Sequence, residues 1–132
     1  MPASEANTSP QLGRIRQIAL TVNDVPRAVS FYRDALGIRQ LDIPAPPSLA
    51  FFDCDGVRLM LSLPETPNAG KASTVLYFSV PDIHAAAQTL AQRGVRFVDE
   101  PHLIARMPDH ELWMTFFTDP DLNPLALMSE VR

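Results

Sequence analysis

Hydrophobic and polar positions alternate along this chain, and the alternation comes in two near-copies. Ile18, Leu20 and Val22 stand between Gln17, Ala19 and Thr21, a period of two that predicts a strand with one apolar face. Asp24 follows as a helix cap and Pro26 fits the first turn. Val25, Ala28, Val29, Tyr32, Ala35 and Leu36 then fall at helical spacing until Gly37 ends the run. The second copy repeats the strand with Leu76, Phe78 and Val80, the cap with Asp82, and the helical stripe with Ile83, Ala86, Ala87 and Leu90 up to Gly94. Further strands are expected after each helix, at about 38–43, 48–53 and 57–63 and again at 95–99, 112–118 and 123–128. Val22-Asn23-Asp24-Val25 is answered by Val80-Pro81-Asp82-Ile83, and residues 55–61 by residues 121–127, so a whole βαβββ unit is duplicated in tandem.

Alternation also sorts the strands into faces. If Val57, Leu59, Leu61 and Leu63 pack under the helices, then Arg58, Met60 and Ser62 point the other way; Leu125 and Leu127 likewise send Ala126 and Met128 to the far side. This second face gathers Gln17, Ala19, Thr21, Arg58, Met60, Ser62, Val75, Tyr77, Ser79, Ala126 and Met128. It is neither solvated nor fully apolar, which suits a concave small-molecule pocket with a few polar groups.

Composition narrows the function classes. The 132 residues suffice for one compact domain, and 46% hydrophobic against 20% charged residues is ordinary for a soluble globular protein. A net charge of −4 with no basic cluster argues against nucleic acid or an anionic membrane as partner. No run reaches transmembrane length. The single Cys54 has no internal disulfide partner, which makes a reducing cytoplasmic setting the expectation, and the flanking Asp53 and Asp55 disfavour a catalytic thiolate there. Residues 1–13 are polar and read as a loose tail ahead of a single domain at 14–132, with modules at about 14–66 and 72–130.

Several side chains carry two readings. His102 and His110 fall in a long connection over 101–111, expected to be a lid-like loop. Either one, supported by Asp109 or Glu111, is a candidate general base over the cup, or both are plain exposed loop histidines. Arg58 and Tyr77 offer a guanidinium and a phenol to a carboxylate, phosphate or enolate, unless Arg58 is simply solvated at the rim. Gln17, in mid-strand, either meets a polar ligand or is satisfied by neighbouring strands. Trp113, Phe51 and Phe52 are stacking platforms or core, and Met60 and Met128 an adaptable wall or ordinary packing. His84 is expected to be exposed.

Ile18-Ala19-Leu20-Thr21-Val22-Asn23-Asp24 with Phe31-Tyr32 and Leu36-Gly37, then Phe78-Ser79-Val80-Pro81-Asp82 and Phe116-Phe117-Thr118-Asp119-Pro120-Asp121-Leu122-Asn123, together resemble the vicinal oxygen chelate superfamily. That superfamily includes glyoxalase I, bleomycin resistance proteins and extradiol dioxygenases. The resemblance implies an α+β fold: two βαβββ modules forming a curved mixed sheet around a cup, with helices outside. It also implies pairing into homodimers, sometimes with modules exchanged between chains. The family's enzymes hold one divalent metal with a ligand from each of the first, fourth, fifth and eighth strands. Those positions here are Gln17, Met60, Val75 and Ala126. None is a strong ligand, so no metal and no other cofactor is expected, and the resemblance points to the metal-free, ligand-sequestering branch. The expected ligand is a small, partly apolar organic molecule, with Gln17, Arg58, Ser62 and Tyr77 as polar contacts and Met60, Val75, Ala126 and Met128 as walls. The alternative is a glyoxalase-type lyase or isomerase, either metal-dependent through other ligands or metal-independent with His102 or His110 as base.

Overall fold

The computed structural model describes residues 10–11, 13–64 and 74–132. Most of the tail expected over 1–13, and the join between the modules at 65–73, lie outside the described residues. The fold is α+β and consists of two modules on the βαβββ plan the duplication predicts, the second carrying one additional strand. In the first, β1 (Gln17–Thr21) leads into α1 (Val25–Val29), which continues as a π-helical turn over Ser30–Ala35, and then come β2 (Arg39–Leu41), β3 (Leu49–Cys54) and β4 (Val57–Ser62). In the second, β5 (Leu76–Ser79) leads into α2 (Ile83–Gln92), followed by β6 (Arg96–Phe97), β7 (His102–Arg106), β8 (Glu111–Thr118) and β9 (Pro124–Val131).

The local signals act as expected. Asp24 accepts the Arg27 N–H at 2.9 Å and Asp82 the Ala85 N–H at 3.1 Å, so each helix is capped by the same residue type at the same repeat position. Gly37 and Gly94 end the helical segments at φ +76° and +89°, a left-handed conformation that a side chain would strain.

Each module contributes one sheet, ordered β1-β4-β3-β2 in the first and β5-β9-β8-β6 in the second, with β7 also paired to β8. The pairings β1–β4 and β5–β9 are both parallel, and their registers place Gln17 opposite Arg58 and Tyr77 opposite Ala126. Two expectations are corrected here. The stretch 101–111 is not a lid-like loop, because β7 lies antiparallel to β8 and the pair forms a hairpin with an irregularity between Leu103 and Ala105. Its burial alternates residue by residue, a short period-two signal that the flanking prolines obscured. The first helix is not uniformly α: it widens, and the Leu36 N–H reaches back to the Phe31 carbonyl at 2.9 Å.

The helix-facing sides of the two modules share one core. Leu20, Val22, Leu59 and Leu61 from the first sheet join Phe117, Leu125 and Leu127 from the second, with Tyr32 from the first helix and Ile83 and Leu90 from α2. At the seam, the fully buried Tyr32 donates its hydroxyl to Asp119 Oδ2 at 2.8 Å, and Asn123 Nδ2 donates to the Thr21 carbonyl at 3.0 Å. Burial, and after it the Asp119 carboxylate, push the Tyr32 phenol well above its ordinary pKa. The sign follows from linkage: the unfolded chain gives up this proton near pH 10, about the free phenol value, while the folded chain keeps it. Stability held by the neutral phenol is therefore complete below about pH 10 and falls as pH rises further. Urea unfolding between neutral pH and strong alkali is expected to show Tyr32→Phe less stable at neutrality, yet with a shallower alkaline decline than the wild type. Parallel declines would contradict this reading of Tyr32.

Candidate functional site

Each sheet has a side turned away from the helices, the face on which half of a cup is expected. In the first half, β1 presents Gln17, Ala19 and Thr21, while β4 presents Arg58, Met60 and Ser62 directly opposite them. β3 adds Phe51 beside Met60 and Asp53 beside Arg58. Strand alternation fixes this division. Leu61 is wholly buried on the helix side, whereas its neighbours Met60 and Ser62 keep accessible surface on the other.

Two of these residues form a unit. Arg58 donates from Nε to Gln17 Oε1 at 2.6 Å, and the guanidinium carbon stands 5.6 Å from the centre of the Phe51 ring. Gln17 is thus satisfied by the neighbouring strand, and Arg58, itself exposed, is held across it.

The second half carries Tyr77 and Ser79 on β5, Ala126 and Met128 on β9, and Met114 and Phe116 on β8. Val75 precedes β5 and is half-buried. Tyr77 and Phe116 form an edge-to-face pair with centroids 6.0 Å apart. Ala126 has no exposed surface and lies in register between them, so Tyr77 and Phe116 face outward where Ala126 was expected to. Phe116 was missed in the sequence, although its parity with Ala126 across the β8–β9 hairpin carries the signal.

Of the three aromatic residues with open roles, Phe52 is core at 0% exposure, Phe51 belongs to the cup face, and Trp113 packs on the helix side against His84 at 5.3 Å between centroids. The loop histidines are not brought together. His102 opens β7 opposite Met114, on the cup side, and its Nδ1 lies 2.8 Å from the Glu100 carbonyl oxygen. His110 lies in the turn at the other end of that hairpin, with Nδ1 2.7 Å from Asp109 Oδ1.

Open clefts also lie between the modules. One of about 430 Å³ is lined by Leu36, Ile38, Phe78, Val80, Leu90 and Leu127. A second, of about 710 Å³, runs between Ile18, Cys54 and Leu59 of the first module and the edge strand β5 of the second, where Val75 and Tyr77 line it together with Leu76 and Phe78. Burial, and after it the neighbouring Asp53, raise the Cys54 thiol pKa there, which agrees with an unreactive cysteine.

The cup positions do not fit a divalent metal. Gln17 Oε1 already accepts from a guanidinium, whose charge opposes a cation, and Met60, Val75 and Ala126 supply a thioether and two hydrocarbons. Among the described residues no group of three or more His, Cys, Asp or Glu side chains is placed to hold one.

A chain of two modules on the βαβββ plan defines a class of protein, and comparison with known proteins agrees. The profile of the Glyoxalase/Bleomycin resistance protein/Dioxygenase superfamily matches residues 14–127, and the chain belongs to that superfamily. It is 27% identical over 129 residues to the Bacillus subtilis protein YraH, covering 86% of this chain and 96% of that one. A crystal structure of a superfamily member from Sphaerobacter thermophilus matches with a TM-score of 0.73 at 27% identity, over 90% of this chain and 98% of the other. A lactoylglutathione lyase from Agrobacterium tumefaciens matches with a TM-score of 0.70 at 21% identity, over 90% and 95% of the two chains, which is likeness of fold alone.

Proposed function

We propose that this protein binds a small, partly apolar organic molecule in a cup completed by a second copy of the chain, with the first module of one copy facing the second module of the other. One observation carries the reading: the modules are joined through their helix-facing sides, so the two half-cups of a single chain sit on separate sheets. Among the described residues β1 pairs only with β4 and β5 only with β9, which leaves each half-cup with an edge strand open there. Free edges are templates for pairing, and a homodimer uses both. The contents of the two halves favour an organic ligand. Met60 and Met128 make an adaptable wall, Phe51 and the Tyr77–Phe116 pair offer aromatic faces, and Gln17, Arg58, Ser62 and Tyr77 give orientation.

No membrane-crossing helix occurs among the described residues. The lone Cys54 is compatible with the cytoplasmic setting we assign.

Light scattering is expected to give twice the 14.6 kDa of the chain. A thermal-shift panel of small aromatic and aliphatic acids, amides and esters is expected to yield binders that Met60→Asp abolishes. A strict monomer, or a panel with no binder, overturns the reading. Titration with nickel, zinc, manganese or iron(II) is expected to give no stoichiometric binding that depends on Gln17. A tightly held ion lost in Gln17→Ala would revive the metal-dependent alternative.

A further inference from the structure

We infer that the ligand's polar end is an oxyanion, a carboxylate first of all, received by the outer edge of the Arg58 guanidinium; the inference rests on the cup reading above. Three features of Arg58 carry it. Its Nε–H is committed to Gln17 Oε1 at 2.6 Å, which occupies one side of the guanidinium. A planar anion is then left the end-on edge formed by Nη1 and Nη2, a fork that matches two carboxylate oxygens. Among the described residues those two nitrogens have no partner.

The charge is also uncompensated where it stands. Asp53 lies directly across from Arg58 in the β3–β4 register, yet its Oδ1 accepts the Gly56 N–H at 3.0 Å and its Oδ2 stands 3.5 Å from Arg39 Nη2. That acid is therefore turned to the hairpin and to another arginine. The remaining cup-face residues of β1 and β4, Ala19, Thr21, Met60 and Ser62, are neutral. Arg39, in register with Asp53, takes up that acid on the same face, and among the described residues Arg58 is left without an ion-pair partner in a chain of net charge −4.

Phe51 supplies the third feature. Its ring lies beneath the guanidinium and limits its swing, so the fork is preset before a ligand arrives. A guanidinium anchored at Nε, backed by an aromatic face and bordered by methionine fits a molecule with an anionic head and an apolar or aromatic body.

The test uses the full chain and matched probes: phenylacetate, phenylacetamide and phenyl phosphate, measured by calorimetry. At least one oxyanion is expected to bind about tenfold or more tighter than the amide, since a charged hydrogen-bonded pair replaces a neutral one. The stronger of the two anions names the source, carboxylate or phosphate. Arg58→Gln is expected to erase the anion's advantage over the amide. Arg58→Lys should restore only part of it, because an ammonium keeps the charge without the fork.

Acid and amide binding alike, both lost in Met60→Asp, would overturn the oxyanion and leave the cup standing. An anion preference that survives Arg58→Gln would overturn the role of Arg58. Binding indifferent to Met60→Asp would overturn the cup and the inference with it. If neither anion binds while a neutral member of the thermal-shift panel does, the oxyanion falls alone.

Discussion

Replacing Asp119 with alanine is expected to destabilise the fold by about 3–5 kcal/mol, close to the limit a single substitution reaches. This carboxylate is 3% exposed and accepts at both oxygens. Oδ1 takes the Asp121 N–H at 2.9 Å and the Asn123 N–H at 2.8 Å, and Oδ2 takes the Tyr32 hydroxyl and Asn123 Nδ2, each at 2.8 Å. Alanine removes the acceptor from all of these donors, of which the Tyr32 hydroxyl and the Asn123 N–H are buried, and each buried group left unsatisfied costs about 1–3 kcal/mol. The loss is also structural in a wider sense. Tyr32 belongs to the first module and Asp119 to the second, and Asn123 in turn holds the Thr21 carbonyl, so one side chain ties the turn before β9 to both the first helix and β1. Urea unfolding followed by far-ultraviolet dichroism measures the effect. A midpoint shift equivalent to less than about 1 kcal/mol would mean that the seam is held elsewhere.

Phe52→Ala is expected to cost about 3–5 kcal/mol, while Phe51→Ala, one residue away, is expected to cost no more than about 1 kcal/mol. The contrast is a direct consequence of strand alternation. Phe52 is wholly buried, opposite Leu59 on β4 and 6.0 Å from the Tyr32 ring, so alanine opens a cavity in the core shared by both modules. Phe51 is turned to the other side, opposite Met60 and beneath the Arg58 guanidinium, and its loss is expected to affect ligand affinity more than stability. The same urea titrations on both variants check this, and equal costs would mean that the assignment of faces is wrong.

Most of the fold was legible from periodicity and punctuation. Duplicate caps at Asp24 and Asp82, duplicate stops at Gly37 and Gly94, and alternating strands are local signals, and each acts within a few residues of where it is read. β7 was harder. His102–Arg106 is short and bracketed by prolines, and its partner β8 is joined by a turn whose residues also suit an open loop.

For the site, alternation assigned Gln17, Arg58, Met60 and Ser62 to one face and Tyr77, Ala126 and Met128 to its counterpart. It did not couple Gln17 to Arg58, because that bond depends on register between strands 41 residues apart, which no local pattern encodes. Nor did it tell Phe51 from Phe52, since which of two adjacent aromatics is core depends on what the strand packs against. The side through which the modules join was equally out of reach. A strand's pattern shows which face is apolar, and the joining of the two apolar faces in one core is a property of the whole chain.

The most direct test of a cup built across two copies is subunit complementation. Met60→Asp disables the half-cup of the first module and Met128→Asp that of the second, so neither variant alone should bind the tightest compound of the thermal-shift panel. After the two are mixed and allowed to exchange, half-cups paired across chains regenerate an intact cup in about one quarter of sites. With a cup shared between copies, binding is expected to return at about that stoichiometry in calorimetry of the mixture. A mixture that binds no better than either variant alone would place both half-cups of each site in one chain and contradict it.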